Sequence, residues 1–303
     1  DLALDLTRFA IIGLSDVLRN LWRLRRILEG TLRLALDQRP DVIVCVDYGG
    51  FNRRFAAALR ARQGTGWRPR LVQYVSPQVW ASRPGRARTL ARDLDLLISI
   101  LPHERAWYAS RYPHFRVEYV GHPIVDRHPA ALDHPAPDTD QPSRILLLPG
   151  SRPSEIARHW PLMMRAAQDI RARVPASWHA VFLDEALRDS ALGIHPAGGL
   201  SLQCRVGGLG EELSHASLAI ASTGTVTLEC ALWRVPTLAI YRASWSTYQI
   251  ARRIIRVRHL ALPNLLAAEP VMPEFLQDNA DPAVIARTAV DLLQHPAALA
   301  QMR

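Results

Sequence analysis

The stretch Ile145-Leu146-Leu147-Leu148-Pro149-Gly150-Ser151-Arg152 is an apolar run that breaks into a Pro-Gly-Ser turn followed by an arginine. A helical pattern starts at about Pro153, so the stretch predicts a buried strand that leads through a tight turn into a helix. Free N–H groups at a helix N-terminus favour a phosphate, and an arginine in the turn can donate two hydrogen bonds to its oxygens. The stretch therefore predicts an anion site in an α/β fold.

A second turn of the same kind is Ser222-Thr223-Gly224-Thr225, which follows the apolar run 218–221 and opens a predicted helix, Thr225–Leu232. Glycine and threonine offer backbone N–H and hydroxyl donors to phosphate oxygens. Two such turns in one half of the chain indicate a nucleotide diphosphate site.

The composition allows two ordinary domains. The 303 residues are 49% hydrophobic and 21% charged, which provides enough apolar surface for two cores and argues against disorder. All 37 basic residues are arginine, against 28 acidic residues, and the net charge is +9. This charge attracts phosphates of lipids, nucleotides or nucleic acids, so motifs must decide among these partners.

Cysteine usage and hydropathy indicate the compartment. Cys45, Cys204 and Cys230 lie in or beside apolar runs without metal or redox spacing, and this predicts buried thiols in a reducing compartment. The sequence has neither an apolar run of the roughly 18 residues that a membrane span needs nor a signal-peptide pattern. We expect a cytoplasmic protein.

Apolar runs alternate with amphipathic stretches along the chain, as in parallel sheets covered by helices. The predicted strands are Val42–Val46, 71–75, 96–101, 117–120, 145–149, 180–183, 200–206, 218–221 and Thr237–Tyr241. The proline-rich stretch 132–143 has no periodicity and is predicted to be a linker. The expected fold is α/β, with two Rossmann-like domains over 1–141 and 142–303 and a cleft between them.

The segment 9–36 has too many apolar residues for one narrow helix face, and arginines are interleaved with them. Two packed helices whose arginines extend to solvent are slightly favoured. The second interpretation is a surface that touches an anionic membrane. Nucleic-acid binding comes third, because no recognised motif accompanies the basic residues.

Seven runs resemble, in order and at compatible spacing, those of the lipid-A-disaccharide synthase family. They are Val46-Asp47-Tyr48-Gly49-Gly50-Phe51-Asn52, Tyr74-Val75-Ser76-Pro77-Gln78-Val79-Trp80-Ala81, Leu101-Pro102-His103-Glu104, Val120-Gly121-His122-Pro123, Leu148-Pro149-Gly150-Ser151-Arg152, Thr223-Gly224-Thr225-Val226-Thr227-Leu228-Glu229 and Leu262-Pro263-Asn264-Leu265-Leu266. In that family a first strand and a Gly-Glu-x-Ser-Gly-Asp loop precede these motifs, and closing helices follow them. We expect this chain to begin past that strand and loop and to end before those helices.

The resemblance implies an inverting glycosyltransferase of the GT-B architecture that needs no metal and no cofactor. Such an enzyme moves 2,3-diacylglucosamine from its UDP carrier to the 6-hydroxyl of 2,3-diacylglucosamine 1-phosphate, at the inner face of the cytoplasmic membrane. The products are UDP and the β-1,6 disaccharide of lipid A. Two alternatives are a catalytically silent relative that binds a UDP-sugar, and a related UDP-sugar enzyme with a soluble acceptor.

Candidate residues of the first half surround the end of the first predicted strand. Asp47 follows that strand, where a carboxylate whose pKa is raised by burial could act as the base, or could equally brace the loop. Asn52 could hold a sugar hydroxyl or cap the next helix. The resemblance adds Ser76, Gln78 and His122 as substrate contacts, although a single histidine is more often structural.

Candidate residues of the second half are expected to contact UDP. The diphosphate is assigned to Arg152, Thr223, Gly224 and Thr225, and a surface salt bridge is the competing interpretation for Arg152. Glu229 is expected to accept from ribose hydroxyls or to complement the helix dipole. Asn264 interrupts an apolar run, so it either satisfies loop backbone or meets the ligand, and the resemblance favours the ligand.

Two further patterns are predicted to carry no ligand. Asp93-Leu94-Asp95 has the acid-x-acid spacing of metal-dependent glycosyltransferases but leads directly into a predicted strand, so no metal site is expected. Gly207-Gly208-Leu209-Gly210 lacks the third glycine spacing and the distant acid of a dinucleotide motif, and is predicted to be a turn.

Overall fold

A computed structural model describes residues 21–64, 66–134 and 143–303. The described residues form two compact units. The first consists of the chain up to His122 with Gln249–Arg256, and the second of Pro123–Tyr248 with Val257–Arg303. The units thus divide at His122, ahead of the proline-rich stretch, whose residues 135–142 lie outside the described part.

The first unit contains a four-stranded parallel sheet with strand order β1-β2-β3-β4. Its strands are β1 (Val42–Val46), β2 (Arg70–Tyr74), β3 (Leu96–Ser99) and β4 (Val117–Tyr119). Its helices are α1 (Leu21–Gln38), α2 (Gly49–Arg62), α3 (Val79–Ser82), α4 (Ala87–Asp93) and α5 (Pro102–Ala109), with a 3-10 turn at Pro84–Arg86. The parallel register pairs Val46 with Tyr74 and Tyr74 with Ile98, so the chain leaves these strands at a common edge.

Strand β1 is less buried than its apolar sequence predicts. Val42, Val44 and Val46 are each more than half exposed, while Cys45 is buried. Within the described residues β1 pairs only with β2 at the edge of the sheet, and residues 42, 44 and 46 alternate along the strand so that they share its exposed face. Apolar residues throughout β1 therefore do not mean that both of its faces are buried.

The described part of segment 9–36 is one helix, α1, and residues 9–20 lie outside the description. Ile27, Leu32 and Ala35 bury one face of the helix in the core of the first unit. On the other side Trp22 is 88% exposed. The helix therefore has a packed face and an exposed aromatic residue among arginines.

The second unit contains a six-stranded parallel sheet with strand order β10-β9-β8-β5-β6-β7. Its strands are β5 (Ser143–Leu148), β6 (Ala176–Phe182), β7 (Leu202–Val206), β8 (Leu218–Ser222), β9 (Thr237–Tyr241) and β10 (Glu274–Leu276). Its helices are α6 (Ile124–Arg127), α7 (Pro153–Arg171), α8 (Glu185–Ile194), α9 (Leu209–His215), α10 (Thr225–Leu232), α11 (Trp245–Ile254), α12 (Leu262–Ala267), α13 (Pro282–Gln294) and α14 (Pro296–Met302). Helix α11 is divided between the units: residues 245–248 belong to the second unit and residues 249–254 to the first.

The centre of the second sheet explains why its strands are apolar throughout. Ile145, Leu146 and Leu147 are completely buried, because helices cover both faces of a doubly wound sheet. Strand order reverses between β5 and β8, so the chains that leave these two strands diverge to opposite faces. This point is where ligands bind in open α/β sheets.

The structure also bears on the predictions of buried cysteines and of a chain without a membrane span. Cys45 and Cys230 are buried and Cys204 is half-buried, and burial raises the pKa of Cys45 to about 11 and of Cys230 to about 12. The three described thiols are free. None of the described helices is long and apolar enough to cross a membrane.

Candidate active site

The turn after β1 has a strained backbone. Asp47 and Tyr48 have φ angles of 45° and 37°, and Val75 at the end of β2 has a φ of 66°. Non-glycine residues rarely adopt this left-handed region, and each costs on the order of 1–3 kcal/mol. Two neighbouring strand ends therefore have conformations that the surrounding structure must hold in place.

Gln73 holds these two strand ends together. Its side chain is 1% exposed, and its Nε2 lies 2.9 Å from the carbonyl oxygen of Asp47 and 3.1 Å from that of Val75. The Asp47 N–H donates to the Tyr74 carbonyl at 2.8 Å. The sequence analysis did not identify Gln73, although a polar residue inside an apolar strand was a signal for it.

Asp47 is exposed, so its expected burial is not observed. Asn52 lies in the first turns of α2, where its amide Nδ2 donates to the carbonyl oxygens of Val46 at 3.2 Å and Asp47 at 2.6 Å. It therefore does not cap α2, whose N-cap is Tyr48. Its amide donors hold the turn that presents the Asp47 carboxylate.

A cavity of about 330 Å³ lies between the start of α2 and the segment 77–90. Three arginines line it, Arg53, Arg83 and Arg86, and we call it the arginine cavity. Asp47 lines the same cavity. Gly49 is required at its wall, because a Cβ there would lie 2.6 Å from the Pro77 side chain. The cavity therefore combines the candidate base with an excess of positive charge.

The other predicted residues of the first unit are not all at this cavity. Gln78 is exposed and lines it, whereas Ser76 is buried beside Glu104 and His122 is half-buried. Burial lowers the pKa of His122. Neither Ser76 nor His122 is among the lining residues.

Glu104 is a buried acid that supports the cavity wall. Trp80 in α3 donates its Nε1–H to Glu104 Oε1 at 2.9 Å. Helix α3 leads directly to Arg83, so this bond fixes the segment that carries two of the cavity arginines. Burial raises the pKa of Glu104 to about 7, partly offset by the hydrogen bonds it accepts.

In the second unit the turn after β5 is already occupied by a carboxylate. Glu155 accepts from the Ser151 N–H at 3.0 Å and from Arg152 Nη1 at 2.7 Å. These are the donors that the sequence assigns to the diphosphate. The salt bridge is thus present, and a ligand anion at this turn must replace the Glu155 carboxylate.

His159 connects this turn to the end of β9. Its Nε2 accepts from the Arg242 N–H at 3.0 Å, so its Nδ1 carries the proton and donates to the Pro149 carbonyl at 2.9 Å. The ring is completely buried, and burial lowers its pKa. His159 was not predicted, because its two partners come from distant parts of the chain.

The turn after β8 lies beside the turn after β5, since the two strands pair in parallel and Leu148 is opposite Ala221. Gly224 has φ 141° and ψ −159°, a conformation that is essentially restricted to glycine. The Thr223 N–H donates to the Ile240 carbonyl, and helix α10 starts at Thr225. The structure therefore brings the two predicted phosphate turns together at the reversal of strand order.

Glu229 is only 5% exposed. Its Oε1 lies 3.5 Å from Arg127 Nη1 and 3.6 Å from His128 Nε2. The carboxylate therefore has a guanidinium and an imidazole from the segment around α6 as neighbours, and neither was predicted from the sequence.

Asn264 has no exposed surface. Its Nδ2 donates to the Met272 carbonyl and to Glu274 Oε1, both at 2.8 Å, and its Oδ1 accepts from the Met272 N–H at 2.8 Å. Every polar atom of this amide serves the loop before β10, and a contact of Asn264 with the ligand stays a prediction. Satisfying loop backbone was the alternative left open.

The two acid and glycine patterns are structural. Asp95 accepts from the Leu71 N–H at 2.7 Å and pairs with Arg60 at 2.6 Å, while Asp93 pairs with Arg92. Gly207 and Gly208 both have positive φ and form the turn before α9. The turn prediction for the glycines is confirmed.

Comparison with known proteins identifies the family. The family model of lipid-A-disaccharide synthetases matches residues 2–302. The chain belongs to this family. The lipid-A-disaccharide synthase of Anaeromyxobacter sp. (strain K) is 37% identical over 299 residues, which cover 95% of this chain and 75% of that protein. That of Geobacter sulfurreducens is 33% identical over 300 residues, covering 97% and 76%. This chain is therefore a glycosyltransferase of lipid A biosynthesis.

Solved structures confirm the fold of this chain. The UDP-GlcNAc 2-epimerase of Neisseria meningitidis bound to UDP-GlcNAc superposes with a TM-score of 0.63 at 11% identity, over 96% of this chain and 78% of that one. MurG of Acinetobacter baumannii gives a TM-score of 0.52 at 14% identity, over 93% and 72%. At these identities the likeness establishes the α/β GT-B architecture and no more.

Proposed function

We propose that this protein transfers 2,3-diacylglucosamine from UDP to the 6-hydroxyl of 2,3-diacylglucosamine 1-phosphate, with inversion. The observation that carries the proposal is the family match along residues 2–302. The strand ends of both units support it, since each presents groups suited to phosphates or to proton transfer. The products are the β-1,6 disaccharide and UDP.

The donor diphosphate is assigned to the two adjacent turns of the second unit. Arg152 supplies a guanidinium at the reversal of strand order. Gly224 and Thr225 supply backbone N–H groups at the start of α10, and Thr223 and Thr225 supply hydroxyls. A diphosphate takes over the donors that Glu155 occupies, because it offers more negative charge and more acceptor oxygens. Glu229 stands one turn into α10, where its carboxylate can accept from the ribose.

The chemical step is assigned to the strained turn of the first unit. As O6 of the acceptor forms its bond to the anomeric carbon, the bond from that carbon to the UDP oxygen breaks and UDP leaves with the electron pair. The hydroxyl proton goes to Asp47, whose carboxylate is exposed at the arginine cavity. Asn52 and Gln73 hold the turn by hydrogen bonds to the Asp47 carbonyl, and Gln78 lines the cavity. Substrate contacts by Ser76 and His122 remain predictions.

Replacing Asp47 by Asn tests this assignment. The amide keeps the size of the side chain but cannot accept the proton, so turnover should fall by roughly 10²–10⁴. UDP affinity, measured by calorimetry, should be unchanged. Asp41→Asn, at the opposite end of β1, is the matched control and should keep normal turnover. Normal turnover of Asp47→Asn at saturating substrates would remove Asp47 as the base.

We also propose that the protein works on the anionic inner surface of the cytoplasmic membrane. Two amphipathic helices expose a tryptophan among arginines: Trp22 in α1 is 88% exposed and Trp245 in α11 is 75% exposed. Tryptophan favours the interface, and arginine is attracted to lipid phosphates. Basic residues 25, 26, 252 and 253 are exposed on the same helices.

Sedimentation with vesicles tests the membrane proposal. Binding should be strong to phosphatidylglycerol vesicles, weak to phosphatidylcholine vesicles, and should decrease as salt is added. Trp22→Gln and Trp245→Gln should each weaken it. Sedimentation that is independent of both lipid charge and salt contradicts the electrostatic part of the proposal.

A further inference from the structure

The arginine cavity carries more positive charge than its own acids neutralise. Arg53, Arg83 and Arg86 line it, and no carboxylate of the described residues lies within ion-pair distance of these three guanidinium groups. By contrast, Arg60 and Arg62 on the same helix, α2, each pair with an acid at 2.6 to 2.7 Å. Asp47 is the acid among the described lining residues.

The positive charges repel one another. Burial together with the charges of Arg83, Arg53 and Arg54 lowers the pKa of Arg86. A guanidinium stays protonated at any physiological pH, so this repulsion persists in the folded protein. A bound anion would relieve it, and this makes the cavity a site whose stability improves when it is filled.

The backbone adds donors of the right kind. Gly49 and Gly50 are the first residues of the 14-residue helix α2 and line the cavity, and N–H groups of a first helical turn have no partner within the helix. A side chain at Gly50 would meet no atom within 4 Å, so the space in front of it is open. Three guanidinium groups and a helix start suit a tetrahedral dianion with three acceptor oxygens.

The size of the cavity restricts the ligand. About 330 Å³ accommodates a phosphorylated sugar but not its acyl chains, which must extend outside. The Asp47 carboxylate is part of the same wall, so a sugar phosphate held by the arginines has its ring beside the candidate base. Phosphate recognition and proton removal would then act on one molecule.

We propose that the arginine cavity binds the phosphate monoester of the acceptor sugar, with Arg86, Arg83 and Arg53 as its ligands. This inference rests on the proposed function, because that function supplies an acceptor with a 1-phosphate. The cavity thereby selects a sugar that carries a phosphomonoester and leaves the UDP diphosphate to the second unit.

Calorimetry with glucosamine 1-phosphate, the soluble head of the acceptor, tests the proposal. Arg86→Gln should weaken its binding about tenfold to a hundredfold, as expected for the loss of a charge-assisted hydrogen bond. UDP binding should be unchanged. Arg88→Gln, an exposed arginine of α4 outside the cavity lining, is the matched control and should bind both ligands normally.

Thermal unfolding separates a binding role from a structural one. Without ligand, Arg86→Gln should unfold at the same or a higher temperature than the unchanged protein, because one repelling charge is removed. A lower unfolding temperature, or Arg86→Gln binding of glucosamine 1-phosphate with unchanged affinity, overturns the proposal. Loss of UDP affinity equal to that of the sugar phosphate would instead assign the cavity to the donor.

Two further ligands identify the source of the phosphate and separate this inference from the proposed function. Glucosamine without phosphate, and the phosphodiester glycerophosphoglycerol, should bind at least about tenfold more weakly than glucosamine 1-phosphate, since neither is a dianion. Equal binding of the phosphodiester means a phospholipid head-group site and overturns the proposal. If the protein transfers sugar but Arg86→Gln leaves the acceptor KM unchanged, this inference fails while the proposed function stands. If glucosamine 1-phosphate binds in an Arg86-dependent way but the protein transfers no sugar, the proposed function fails while the phosphate site stands.

Discussion

The two units differ in whether the arginines near their strand ends are paired with a carboxylate of the protein. In the first unit Arg53, Arg83 and Arg86 face a cavity without a carboxylate partner among the described residues. In the second unit Arg152 is paired with Glu155, whose other oxygen accepts from the Ser151 N–H. A ligand anion supplies missing negative charge in the first case and replaces an existing one in the second. An anion therefore binds unpaired arginines in the first unit, whereas in the second unit it must compete with the Glu155 carboxylate for Arg152.

The largest expected effect is a loss of stability when Asn264 is replaced. It tests whether the hydrogen bonds that Asn264 makes within the second unit stabilise the fold. Asn264→Leu leaves the Met272 backbone groups and the Glu274 carboxylate without their buried partner. Unfolding should become easier by about 2–4 kcal/mol, measured by urea denaturation. UDP affinity of the folded variant should be unchanged. A stable variant that has lost UDP binding would return Asn264 to the ligand.

The second largest expected effect is a pH dependence of stability that comes from Glu104, a buried acid of the first unit. The pKa of Glu104 is raised from 4.5 to about 7, so the fold favours the protonated form. Its contribution to stability is fully present below pH 4.5 and is lost as the pH rises through 7. Between these limits the unchanged protein should lose roughly 2 kcal/mol relative to Glu104→Gln, which has no such titration.

Thermal unfolding of the two proteins across this pH range checks the sign. Gln keeps an oxygen that accepts from Trp80, so the bond that supports α3 should survive. Parallel stability curves for the two proteins would mean that Glu104 has an ordinary pKa.

The smallest expected effect concerns the competing carboxylate. Glu155→Gln removes the negative charge that holds Arg152 and frees it for the donor, so UDP affinity should rise about threefold. Glu185→Gln, an exposed acid in the first turn of α8, is the matched control and should have no effect. Weaker UDP binding of Glu155→Gln would show that Glu155 supports the site rather than competing for it.

The sequence was sufficient where the signal is local. Continuous apolar runs predicted β1, β8 and β9 within a residue at each end. For β8 and β9 the reason is that parallel strands buried in a sheet need no polar alternation. The short edge strand β10 was missed, since three residues give no periodicity. Strand β6 starts at Ala176, ahead of the predicted 180, because the polar residues Ser177 and His179 interrupt the apolar run.

Contacts between residues that are distant in the chain could not be predicted from the sequence. The choice between the two roles of Asn264 depended on Met272 and Glu274, eight and ten residues away. Gln73 and His159 each bridge two loops, and neither lies in a recognisable motif. The arginine cavity needs the approach of α2 to segment 77–90, so an arginine-rich sequence gave no reason to select Arg86 over the other basic residues.

The most direct test of the account is a steady-state kinetic comparison of Arg86→Gln and Arg152→Ala with both substrates varied. The acceptor phosphate is proposed to bind in the first unit and the donor diphosphate in the second. Arg86→Gln should therefore raise the acceptor KM about tenfold or more with little change in the donor KM, and Arg152→Ala should do the reverse. Both variants raising the same KM, or each raising the other's, would contradict this division of labour between the two units.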